Sequence, residues 1–262
     1  MADGAVLLRV ASSGLGAIVA LAVITWIASV PRRDASLVDR MWSVFIAAGA
    51  LVYGALLPGS TRASVMLAIV VIWALRLCGY ITWRNWGHGE DRRYQEIRAR
   101  NEPGFAWKSL YLVFALQALL AWLVSAPLLF GIAGRAPFGA LDLAGAALAA
   151  FGIAFEAIGD AQMARFKADP AHRGQVMDRG LWRYTRHPNY FGECCVWWGL
   201  FLMAAATGGA WSIASPLIMT LLLLKVSGVS LLEKDIAERR PAYRDYVART
   251  NAFVPGPPRG KQ

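Results

Sequence analysis

The chain has 262 residues, 57% of them hydrophobic, with a mean hydropathy of +0.42 and a formal net charge of +10. Apolar residues gathered in long blocks exclude an ordinary soluble domain and make the bilayer the solvent. The basic excess invites nucleic acid as a partner, but it lies on alternate loops beside apolar blocks, which excludes that reading and assigns it to membrane topology.

Seven apolar blocks are each close to the roughly 20 residues a helix needs to cross hydrocarbon. They run Ala5–Val30, Leu37–Leu57, Ala63–Trp83, Ala106–Ala133, Phe138–Ala161, Tyr190–Thr207 and Trp211–Leu232. The first is too long for a signal peptide and lacks a small-residue cleavage site. Its Gly14-Leu15-Gly16 follows no strand, so a Rossmann reading is not supported. Arg32 and Arg33 come after the first block, Arg84, Arg92, Arg93, Arg98, Arg100 and Lys108 between the third and fourth, and Arg165, Lys167, Arg173, Arg179, Arg183 and Arg186 between the fifth and sixth. The alternate connections carry only Arg62 and Arg135. This pattern predicts an all-α polytopic bundle of about seven transmembrane helices, with the N-terminus outside and the C-terminus cytoplasmic. The whole chain, 1–262, reads as a single integral membrane domain, and a bacterial inner membrane is the expected location.

Polar residues within or beside the blocks are the candidates for chemistry, because each is costly in lipid and faces a cavity or a partner. Asp39, in ASLVDRMWS, opens the second block and is either a helix cap or an acid at the inner face. Arg76, Tyr80 and Arg84 share one face of the third. The stretch GHGEDRRY, Gly87–Tyr94, is either a solvated loop or a phosphate clamp built on Arg93 and Tyr94. Glu156 and Asp160 sit four apart, hence on one helix face. Lys225 and Glu233 lie eight apart in the seventh block. Cys78, Cys194 and Cys195 show no metal-ligand spacing, so they read as packing residues and no metal site is expected.

The densest polar stretch is GLWRYTRHPNYFGE, Gly180–Glu193. Pro188 suits the first turn of a helix, whose N-terminus attracts an anion, with Arg183, Arg186 and His187 beside it. Glu193, one turn on, accepts hydrogen bonds from an amide or a hydroxyl. Without a Gly-rich loop, a dinucleotide would be gripped by side chains: arginines for phosphates, among Arg165, Arg179, Arg183 and Arg186, aromatics such as Tyr184 and Tyr190 for stacking, and carboxylates such as Glu156 and Glu233 for ribose hydroxyls.

Four segments together resemble the DUF1295 family of the steroid 5-alpha-reductase-like membrane superfamily. They are GLWRYTRHPNYFGE with the WWG after it, VDRMW, RLCGYITWRNWGHGEDRRY, and RPAYRDYVARTNAFVPGPP at the tail. The shorter RHPxYxG-type element is shared with isoprenylcysteine carboxyl methyltransferases and related phospholipid methyltransferases. The resemblance implies a seven-helix fold with NADPH held on the cytoplasmic side, in the part of the chain from about 140 to 255. By matching positions it implies Asn189, Glu193, Asp160 and Lys167 as cofactor ligands and Tyr80, followed by Arg84, as the catalytic tyrosine. Steroid reductases carry a Gln-Glu pair in the second span, which this chain lacks; Asp39 is the nearest acid and stands as the expected partner of Tyr80. The activity implied is NADPH-dependent reduction of an activated C=C bond in a lipophilic, steroid-like or isoprenoid enone. The alternative is an S-adenosylmethionine-dependent methyltransferase of a lipid or prenylated substrate, and a third class is a lipid-binding scaffold. The partners expected are membrane lipids and a lipophilic substrate, without nucleic acid.

Overall fold

The computed structural model describes residues 3–226 and 242–259, and these are helical with no strand among them. Five helices are long and apolar enough to cross a membrane: α1 (Gly4–Arg32), α2 (Leu37–Leu56), α3 (Thr61–Arg84), α5 (Phe105–Ala133) and α6 (Ala140–Ala168). The short α4 (Arg92–Asn101) precedes α5, and α7 (Pro188–Ala205), α8 (Ala210–Lys225) and α9 (Ala242–Arg249) follow α6. Helices are the solution hydrocarbon demands, since each backbone N–H must find its carbonyl within the segment. Large apolar side chains such as Leu8, Leu75 and Leu143 remain mostly exposed, as they do where lipid replaces water. The sixth apolar block is α7 and the seventh begins as α8; its residues 227–232 lie outside the described residues.

The chain divides into two compact units, Met1–Asp142 with Phe201–Ser215, and Leu143–Leu200 with Pro216–Gln262. In the first, Gly14 leaves room for the ring of Tyr53, whose hydroxyl lies 2.9 Å from Ser125 Oγ in the buried interior. Gly16, by contrast, faces open space. Gly14 of this GxG therefore serves helix packing. Ser125 marks a break in α5, and a π-helical turn over Leu110–Ala115 shifts the register of that helix further toward its start.

Arg62 and Asp142, which the sequence presents as loop and helix-end charges, form a fully buried pair. The guanidinium donates to both carboxylate oxygens at 2.6 and 2.8 Å and to the carbonyls of Ala136 and Pro137. Gly139 N–H donates to the same carboxylate at 2.9 Å. Arg62→Ala leaves Asp142 as an uncompensated buried charge, so the expected loss is about 3–5 kcal/mol. The apolar double replacement Arg62→Met with Asp142→Leu recovers most of it. Denaturant unfolding of the purified variants in detergent checks both, and equal losses in the two would contradict the assignment.

The second unit is organised by a glycine seam. Gly145, Gly152 and Gly159 recur at seven-residue spacing along α6. Opposite them on α7, a Cβ on Gly199 would stand 2.5 Å from Gly145 O, and one on Gly192 would stand 2.6 Å from Gly152 O. Gly159 packs on the Pro188 ring in the same way. Small residues at these positions let two backbones approach closely, the usual route to tight helix pairing where lipid offers no hydrophobic drive. The seam sets Glu156 and Asp160 of α6 beside the first turns of α7.

Candidate functional site

Two polar clusters stand out, one in each unit. In the first unit, Asp91 caps α4 by accepting from Arg93 N–H at 2.9 Å, which turns the Arg-Arg-Tyr segment into a helical first turn rather than a loose clamp. The loop before it is pinned by Glu90, which accepts from Ala35 N at 2.8 Å and from the Arg98 guanidinium at 2.7 and 2.9 Å. So placed, Tyr94 donates its hydroxyl to Asp39 Oδ1 at 2.6 Å and Arg93 donates to Asp39 Oδ2 at 2.7 Å. Gln117 of α5 completes the group, its amide nitrogen 3.1 Å from the Tyr94 oxygen and 3.5 Å from Asp39 Oδ1.

This arrangement departs from two sequence expectations and adds one residue to them. The phenol bonded to Asp39 is that of Tyr94 rather than Tyr80. Arg93 is engaged by Asp39 and Asp91, so its charge is already compensated and is a poor phosphate clamp. Gln117 was not singled out at all, although a lone amide in the apolar run LVFALQALLAWLV was the available signal. Burial and the neighbouring Asp39 charge hold the Tyr94 phenol well above its ordinary pKa, so it stays neutral. Burial works against ionised Asp91, but the hydrogen bonds from Arg93 outweigh it and bring that carboxyl below its usual value. Tyr80 is half-buried on α3, its ring flanked by the Arg76 and Arg84 guanidinia at 5.5 and 5.7 Å. Arg84 also donates to Asn85 Oδ1 at 3.1 Å.

In the second unit the stretch 180–193 is held by the chain's tail. Gly180, at φ +58°, opens a 3-10 turn whose Leu181 N–H donates to Gln162 Oε1 at 2.9 Å, while Trp182 Nε1 donates to Gly159 O at 2.9 Å. Thr185 donates to Phe253 O at 2.7 Å, Arg186 N–H to Asn251 O at 2.9 Å, and Gly256 N–H to Tyr184 O at 3.1 Å. The Arg186 guanidinium turns inward and donates to the carbonyls of Thr250 and Val247. The structure therefore gives Arg186 the task of anchoring the tail, in place of the phosphate contact expected of it.

The remaining candidates sort by depth. Glu156, Asp160, Glu193 and His187 are buried, with the His187 ring stacked on Tyr190 at 5.5 Å. Asn189 and Tyr190 are half-buried at the start of α7. Arg165, Lys167, Arg179, Arg183 and Tyr184 are exposed. Glu233 lies outside the described residues. The unit thus has an inner layer of carboxylates and an outer set of cations. That donor set suits a ligand with hydroxyls or amides at one end and phosphates at the other, which is the chemistry of a dinucleotide.

A family model described as "Protein of unknown function (DUF1295)" matches residues 25–250. An uncharacterized protein of Schizosaccharomyces pombe is similar, 27% identical over an alignment covering 88% of this chain and 76% of the relative. No solved structure matches the chain.

Proposed function

This chain belongs to the DUF1295 family, and from that premise we propose that it is a membrane-embedded reductase that uses NADPH to saturate an activated C=C bond in a lipophilic enone. The observation that carries the reading is the start of α7, where half-buried Asn189 and buried Glu193 stand one turn apart over the carboxylates of α6, in a unit whose exposed side chains include Arg165, Lys167, Arg179 and Arg183. NADPH, when bound, supplies a hydride to the β-carbon of the enone. Asn189, Glu193 and Asp160 hold the polar groups of the nicotinamide half, and Arg165, Lys167, Arg179 and Arg183 hold phosphates. Tyr80 donates a hydrogen bond and then a proton to the enolate oxygen that develops. The Asp39–Tyr94–Arg93–Gln117 group fixes α4 against α2 and α5. We further propose seven crossings, with α7 and α8 the last two, and a cytoplasmic C-terminus facing the soluble cofactor.

The test uses two variants. Asn189→Ala and Glu193→Ala are each expected to weaken NADPH binding about tenfold or more, as loss of a charge-assisted or buried hydrogen bond does. Fluorescence titration of the detergent-purified proteins measures this. Unchanged NADPH affinity in both, or S-adenosylmethionine binding that falls with the same substitutions, would turn the assignment toward the methyltransferase.

A further inference from the structure

A second site lies where α1 ends and α5 begins, apart from the residues proposed above to hold cofactor or substrate. A cleft of about 260 Å³ opens there, lined by Ser29, Arg33, Arg98, Glu102, Gly104 and Phe105 among others. Its depth relative to a membrane is marked by tryptophans. Trp26 of α1 donates its indole N–H to Ala106 O at 2.9 Å and packs against Trp107 with ring centroids 5.2 Å apart. Trp107 is 71% exposed, and Trp83 in the last turn of α3 and Trp86 just beyond it are likewise exposed. Indoles collected at helix ends are the signature of the headgroup layer, where one face of the ring is apolar and the other wet.

The charges in the cleft define its ligand. Arg98 is engaged by Glu90 through two short hydrogen bonds and lies 4.6 Å over the Phe105 ring, so it forms a neutralised floor. Two charges are left. Arg33, held in the left-handed region at φ +49° after the end of α1, is exposed, and its guanidinium has no partner among the described residues. Glu102 is exposed, its one hydrogen bond is a long one of 3.4 Å from Phe105 N–H, and its charge acts on the Arg98 guanidinium without hydrogen-bonding to it. One open cation and one open anion beside a single small cleft complement a zwitterion. At headgroup depth, the zwitterion whose cation can donate hydrogen bonds to a carboxylate is phosphoethanolamine.

We propose that this cleft binds the headgroup of a phosphatidylethanolamine molecule, with Arg33 on the phosphate and Glu102 on the ammonium. The guanidinium meets phosphate oxygens as it does elsewhere. Glu102 confers selectivity, because choline carries no N–H to donate and glycerol carries no cation. The proposal stands on the first unit alone and does not depend on the reductase reading.

The experiment is native mass spectrometry of the full-length protein from mixed micelles holding equal amounts of phosphatidylethanolamine, phosphatidylglycerol and phosphatidylcholine with the same acyl chains. The wild type is expected to retain phosphatidylethanolamine roughly tenfold over either competitor, the scale of one charge-assisted hydrogen bond. Glu102→Gln is expected to abolish that preference while total lipid retention persists. Arg33→Asn, a residue that tolerates the left-handed backbone, is expected to lower retention of all three lipids together. Both positions are exposed, so an unchanged unfolding midpoint serves as the check on folding. Equal retention of the three lipids by the wild type would overturn the proposal, as would a preference for phosphatidylglycerol or a preference unchanged in Glu102→Gln. So would a site that takes soluble O-phosphoethanolamine but retains no lipid.

Discussion

Tyr80→Phe is expected to lower turnover by about 10²–10⁴-fold, the scale of a positioned general acid, while NADPH affinity stays unchanged. The substitution removes one oxygen and keeps the ring, so the packing against Trp83, at 6.0 Å between centroids, survives. The ring lies beside the Arg76 and Arg84 guanidinia, at 5.5 and 5.7 Å. Tyr94 also lies beside a guanidinium, that of Arg93 at 5.7 Å from its ring, and differs in what its hydroxyl meets. Its hydroxyl is already given to Asp39, and burial together with that carboxylate holds its proton on. Tyr94→Phe is therefore expected to act through position, with a smaller loss of turnover. Steady-state kinetics beside cofactor titration separates the two. If Tyr94→Phe abolishes turnover and Tyr80→Phe does not, the acid is Tyr94. If Tyr80→Phe loses NADPH binding and keeps its chemistry, Tyr80 is a cofactor ligand.

Gly192→Leu is expected to disrupt the pairing of α6 with α7 and to remove cofactor binding with it. A side chain there would begin 2.6 Å from Gly152 O and 2.7 Å from Glu156 N, and backbone atoms of a packed helix cannot step aside as a flexible side chain does. Overpacking of a tight interior costs about 1–3 kcal/mol when neighbours can adjust, and here the obstacle is backbone, so the upper end or beyond is expected. Gly79→Ala is the matched control. Gly79 sits in a membrane helix with nothing within 4 Å of its added Cβ, so alanine is expected to be neutral or slightly stabilising. Thermal unfolding of both variants in the same detergent decides the matter. Equal midpoints would show that the glycine seam does not hold the unit together.

Much of the fold was legible because lipid makes the information local. A helix that must satisfy its own backbone in hydrocarbon appears as a continuous apolar run, and the block Leu37–Leu57 is found as Leu37–Leu56. The glycine spacing 145, 152, 159 was equally present in the letters, but its meaning depends on which helix lies opposite. Partnerships between charges were not legible. Arg62 and Asp142 are 80 residues apart, and Asp39 reaches Tyr94 across 55 and Gln117 across 78. An arginine in a sequence looks like a free cation; Arg93 and Arg186 show that folding had already engaged theirs with a carboxylate and with the carbonyls of the tail. The stretch 180–193 was identified as the candidate site, while the role of the tail in holding it emerged only from the hydrogen bonds of Thr185, Arg186 and Tyr184.

The most direct measurement of the central claim is equilibrium titration of the detergent-purified protein with NADPH and, separately, with S-adenosylmethionine. Saturable, stoichiometric binding of NADPH without binding of S-adenosylmethionine is the result that the proposed reductase activity predicts. Saturable binding of S-adenosylmethionine with none of NADPH would contradict it.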